Sequence, residues 1–159
     1  MKNMRTPVIY IPLRWALYVH DLILSISGGV SGINPQQKGQ LDSVLSHIKN
    51  DIYYPSIVEK TAHLVYSVIM FHIFIDADAN KRTAMALGQY FLSVNNYECQ
   101  DFFPKMEPVV VMIASHLLSK DELNIIISCL VKRVPYPEAI ETKMKNYESK
   151  LAEENNLTR

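Results

Sequence analysis

Apolar side chains recur in this chain three or four residues apart, the spacing of one helical face. Leu13, Ala16, Leu17 and Leu24 line a segment that runs to Ile26, where Gly28-Gly29 ends it. Asn34 followed by Pro35 supplies an N-cap and a first-turn proline for a second helix. That helix reaches about Lys49, with Leu41, Val44, Leu45 and Ile48 on its buried face. Tyr53, Tyr54 and Pro55 break it, and Ile52 to Tyr54 could form at most a short extended flap hairpin. Ser56 with Glu59 reads as a capping box opening a helix that ends near Phe71 and is apolar almost all the way round, as a central helix would be.

Further helices are expected from about Asn80 to Val94, from Val109 to Leu118 after Pro104 and Pro108, and from a second capping box, Ser119 with Glu122, through Lys132. Pro135 and Pro137 make a linker. Beyond it only Ile140, Met144, Tyr147 and Leu151 repeat on one face of a Glu-, Lys- and Asn-rich segment. The class is all-α: a bundle of about six to seven helices around the apolar helix. Residues 1–134 form the main domain with an extended N-terminal arm, and residues 135–159 an amphipathic helical appendage.

Composition narrows the possible roles. The chain has 159 residues, 48% of them hydrophobic, enough for one well-packed domain. Sixteen basic residues balance sixteen acidic ones, so no global field draws in nucleic acid or an anionic membrane. Cys99 and Cys129 are too few for a disulfide framework and lack metal spacing. With no signal-peptide core and no apolar run of about 18 residues, a cytoplasmic location is expected.

One polar string interrupts the apolar pattern. HIFIDADANKR, His72 to Arg82, lies between two buried helical segments, and burying such a string to no purpose would be costly. Histidine is the side chain suited without perturbation to take a proton from a hydroxyl at neutral pH, which makes His72 the candidate base. A lone histidine on an apolar helix is most simply a core residue, but the neighbours of His72 set it apart; His20, His47, His63 and His116 show no paired metal spacing and are read as structural. Ala79, Asn80, Lys81 and Arg82 follow a carboxylate and open a helix, a turn whose N–H groups suit phosphate. Arg82 adds a forked clamp and Lys81 a second charge. Asp78 is placed to bind Mg²⁺ beside the phosphates. Phe74 anchors the loop to the core.

The string resembles the signature of the Fic/Doc family, H-x-F-x-[D/E]-[A/G]-N-[G/K]-R. Asp78 to Ala84 reproduces the D-A-N-K-R-T-A segment of its Doc branch, and Leu17 to Asp21 with Gly28-Gly29 and Gly32-Ile33 is similar to the first helix and loop of Doc-type toxins. The resemblance implies an all-α Fic fold, ATP and Mg²⁺ as cofactors, and modification of a protein hydroxyl. It implies His72 as base, Asp78 as metal ligand, and Asn80 and Arg82 as phosphate ligands. Lys81 stands where AMP-transferring members have glycine and favours phosphoryl transfer, as in the Doc branch, whose acceptor is a translation elongation factor and whose activity is checked by an antitoxin. Tyr53 and Tyr54 fall where the family keeps a flap for the target segment.

The string also departs from the signature. Asp76 occupies the place four residues after His72, and Asp78 the place counted back from Arg82, so the loop is longer by an Ala-Asp pair. Extended, the pair could span up to about 7 Å; a bulge before Asp78 would keep the base near the phosphate turn, with Asp76 as reserve metal ligand. AMP transfer, or a catalytically silent Fic-fold binding module, are the alternatives.

Overall fold

The computed structural model describes residues 6–158. Seven α-helices follow one another: α1 (Leu13–Ser27), α2 (Gln40–His47), α3 (Ile57–Met70), α4 (Ala77–Val94), α5 (Phe102–Ala114), α6 (Lys120–Lys132) and α7 (Glu138–Leu157). A 3₁₀ turn, Pro35–Gln37, precedes α2. The fold is the all-helical bundle expected, with no strand among the described residues.

The reciprocal capping box forms at α3. Ser56 Oγ accepts from the Glu59 N–H at 3.2 Å, and the Glu59 carboxylate accepts from the Ser56 N–H at 3.0 Å. From there α3 is buried nearly all round, with Leu64, Val65 and Val68 fully enclosed, and it packs against α2, α4, α5 and α6. The most extensive of these contacts is with α4. A Cβ on Gly88 would lie 2.7 Å from Val65 Cγ2, so the helices approach over a position with room only for hydrogen.

Several boundaries differ from expectation. The second helix splits into the 3₁₀ turn and α2 because Gly39, at φ 85°, breaks the run after Lys38. No flap hairpin forms at Tyr53–Tyr54: Asn50 Oδ1 accepts from the N–H groups of Ile52 and Tyr53, winding the segment into a turn. α5 starts at Phe102, a full turn and more before Val109, and contains Pro108. Burial of Phe102 and Met106 stabilises this early start. Residues of α7 from Glu148 onward are exposed, while Ile140 is buried and Met144 and Tyr147 pack on the core.

Two polar contacts inside the bundle tie helices together. Lys60 on α3 is 1% exposed, and its Nζ donates to the Ile48 carbonyl and to Asp51, both at 2.7 Å. His63, also on α3, meets Lys120 of α6 through Nδ1 at 2.6 Å and Ser67 through Nε2 at 3.4 Å. Burial, with smaller contributions from the Lys120 and His47 charges, pushes the His63 pKa down to about 4. The unfolded chain therefore takes up this proton first, near the ordinary histidine value of about 6.5. Thermal unfolding followed by circular dichroism is expected to show stability falling as pH drops from about 6.5 toward 4. The slope should be shallower in His63→Gln.

Candidate functional site

The site is built where α3 hands over to α4. α3 ends at Met70, Phe71 caps it, and His72 adopts a left-handed conformation at φ 48° with its side chain exposed. Ile73 and Phe74 then turn inward and are fully buried, while Ile75 is exposed again.

This segment is held on both edges. The Asn34 N–H donates to the Ile73 carbonyl at 2.9 Å and the Ile75 N–H to the Gly32 carbonyl at 3.0 Å, an antiparallel bridge centred on Ile33 and Phe74. On the other edge the buried Asn80 side chain does a strand's work. Its Oδ1 accepts from the Phe74 N–H and its Nδ2 donates to the Phe74 carbonyl, both at 2.9 Å. Asn34 Nδ2 also donates to the His72 carbonyl at 3.2 Å.

The Phe74 ring lies flat on His20 of α1, with centroids 3.6 Å apart and an interplanar angle of 7°. His20 is 2% exposed, and its Nδ1 contacts Thr83 Oγ1 at 2.9 Å. Burial depresses its pKa, and Asp21 and Asp76 oppose that shift. His20 is thus a flat stacking platform for the motif's aromatic anchor and a tie between α1 and α4.

Asp76 is the N-cap of α4. Its Oδ1 accepts from the N–H groups of Asp78 at 3.0 Å and Ala79 at 3.1 Å, and its Oδ2 from Val30 at 3.0 Å. The bonds from Val30 and Ala79 hold its carboxyl below the usual range. Ala77 and Asp78 therefore form the first turn of α4 rather than the expected bulge. The expected phosphate turn is helical throughout: the Ala79 N–H is taken by Asp76 Oδ1, and that of Asn80 by the Asp76 carbonyl at 3.0 Å.

The charged side chains gather at this end of α4. The Asp78 side chain is 74% exposed, with Arg82 Nε 3.4 Å and Lys81 Nζ 4.0 Å from its carboxylate. Lys81 Nζ also donates to the Ala77 carbonyl at 3.3 Å. Arg82 Nη1 donates to Ser27 Oγ and, at 3.0 Å, to the Gly28 carbonyl, crossing to the end of α1. Tyr53 and Tyr54 make their ring contacts with His47 and His63 of α2 and α3. Among the described residues no group of three or more His, Cys, Asp and Glu side chains is gathered for a metal. A hard cation held jointly with phosphate needs only one or two carboxylates, and Asp78 has its oxygens open to solvent.

Ser27, Val30 and Asn34 are site residues that spacing alone did not single out. The glycines around them were the signal. At Gly29, φ 127°, a Cβ would sit 2.7 Å from Asp76 Oδ2, 2.8 Å from Leu24 Cδ2 and 3.3 Å from Arg82 Nη2. Gly29→Ala is therefore expected to destabilise the fold by about 1–3 kcal/mol in urea unfolding, through overpacking and a disfavoured φ. An unchanged midpoint would refute this packing.

No curated protein matches the chain. The model of the Fic/DOC family, whose members are generally transferases, matches residues 10–92, more than half of the chain, from ahead of α1 through all but the end of α4. The chain belongs to the Fic/DOC family.

Proposed function

We propose that the protein is a Doc-type transferase that moves the γ-phosphoryl group of ATP, bound with Mg²⁺, onto a hydroxyl of a target protein. A translation factor is the target class implied by the branch, with an antitoxin as restraining partner and the cytoplasm as location. The observation that carries this reading is an exposed His72 followed, across the buried Ile73–Phe74 segment, by a cluster of Asp78, Lys81 and Arg82 in the first turns of α4.

Each residue has a chemical part. The His72 imidazole accepts the proton of the attacking hydroxyl. Asp78 supplies carboxylate oxygens for Mg²⁺, which when bound neutralises phosphate charge. Lys81 and Arg82 stabilise charge on the transferring group, Arg82 with its orientation fixed by Gly28 and Ser27. Asp76, committed to the helix cap and Val30, fits a positioning role better than that of reserve metal ligand. Asn80 likewise fixes Phe74, and its amide serves the loop's shape.

If Ala77-Asp78 is an added pair relative to the Doc signature, its placement in a helical turn limits the displacement to about 3 Å, against about 7 Å for an extended pair. A shift on this scale bears on rate, since about 1 Å of misplacement can cost on the order of 100-fold. The same polar bonds give the silent binding module its one support, because Asp76 and Arg82 are already engaged within the protein.

The test uses ATP labelled separately at the α and γ positions, Mg²⁺ and a cell extract. Label on a protein from the γ position alone, reduced about 100-fold or more in His72→Ala, is the expected result. Label from the α position would mean AMP transfer. Label from neither would leave the binding module.

A further inference from the structure

α1 turns two unlike faces to its surroundings. Ala16, Val19, His20 and Leu24 are buried, and the helix packs on α4 and α2. On the outer face Trp15, Tyr18, Leu22 and Ile26 follow one another three or four residues apart, so they form one stripe along the helix. All four are exposed, from 39% at Trp15 to 76% at Ile26. The stripe widens toward α4, since the Trp15 ring lies 5.0 Å from that of Tyr18 and 5.9 Å from that of Tyr90. Ile23, Ala86, Tyr90 and Phe103 continue it as the apolar lining of a shallow cavity between α1, α4 and α5. Single exposed apolar residues need no explanation. A contiguous patch with Trp and Tyr at its centre and no charge in the stripe has the make-up of an interface core.

The charges beside the stripe identify what covers it. Apart from the buried His20, Arg14 and Asp21 are the charged residues of α1, and they lie seven positions, about two turns, apart along one edge of the stripe. Both are exposed, and among the described residues neither belongs to an ion pair; Asp21 accepts a bond from Ser31 Oγ at 3.3 Å. When two helices pack antiparallel, each edge faces the same edge of the other helix. A two-fold axis passing near Leu17 and Tyr18 therefore brings Arg14 of each copy to Asp21 of the other, with Trp15, Tyr18 and Leu22 spread about the axis. A parallel pairing would leave both charges without partners.

We infer that the outer face of α1 is a self-association surface, through which two copies of the chain form an antiparallel, two-fold dimer. The same axis sends the C-terminal ends of the two α1 helices, and with them the Arg82 contacts at Ser27 and Gly28, in opposite directions, so the two candidate sites lie apart.

The full chain and its variants are followed by sedimentation velocity over a wide concentration range, with circular dichroism checking that each variant is folded. The wild type is expected to show a reversible monomer–dimer equilibrium, and Leu22→Glu to remain monomeric. Arg14→Asp or Asp21→Arg alone sets like charges together at two places and is expected to weaken the dimer about tenfold or more. Both substitutions in one chain restore the pairing, and mixing the two single variants yields their heterodimer. A wild type that stays monomeric at every concentration overturns the inference. So does a dimer indifferent to Leu22→Glu, or a double reversal that associates no better than the single ones.

Discussion

Two hydrogen bonds from one buried amide fix the most irregular part of the chain. Phe74 is fully enclosed, and its bridge to Ile33 leaves its own N–H and carbonyl facing away from the Gly32–Asn34 segment. Asn80, reaching back from α4, satisfies both. Without it two buried backbone groups would lack partners, each costing about 1–3 kcal/mol. With it, a single short extended segment can run through an all-helical bundle. Within it Ile73 and Phe74 go to the core, and His72 and Ile75 to solvent. The glycine loop after α1 docks on the same segment, so the amide organises two stretches far apart in sequence.

Much of this architecture was legible in the sequence. Capping boxes at Ser56 and Ser119 gave the starts of α3 and α6 because the signal is local, a side chain and a backbone group three residues apart. Phe74 as core anchor followed from its type within an apolar neighbourhood. The beginnings of α4 and α5 were harder. Asp76 and Asp78 offer equivalent caps by type, and the bond from Val30 to Asp76, across 46 positions, belongs with the cap that formed. For α5 the prolines suggested a later start, yet burial of Phe102 outweighs the lost donor of Pro108.

The partners of Arg82 could not be read at all, since nothing local links Gly28 to a residue 54 positions on. The glycine pair marked the place without naming what approaches it. Asn80 carried a double signal. As a polar residue before Lys81-Arg82 it reads as an anion ligand, and only its burial against Phe74 displays the structural role.

Asp76, Asp78, Lys81 and Arg82 bring two charges of each sign to one helix end, repeating in miniature the neutrality of the whole chain. Such a site gathers ligands by close, directed contacts, with little long-range pull.

The left-handed backbone at His72 places thermodynamics and chemistry in opposition. A residue with a Cβ pays for that conformation, and glycine would adopt it freely. The substitution that most relaxes this corner of the fold is thus also the one that deletes the imidazole. Any search for sturdier variants that scores folding alone would drift toward a glycine here and discard the proposed base.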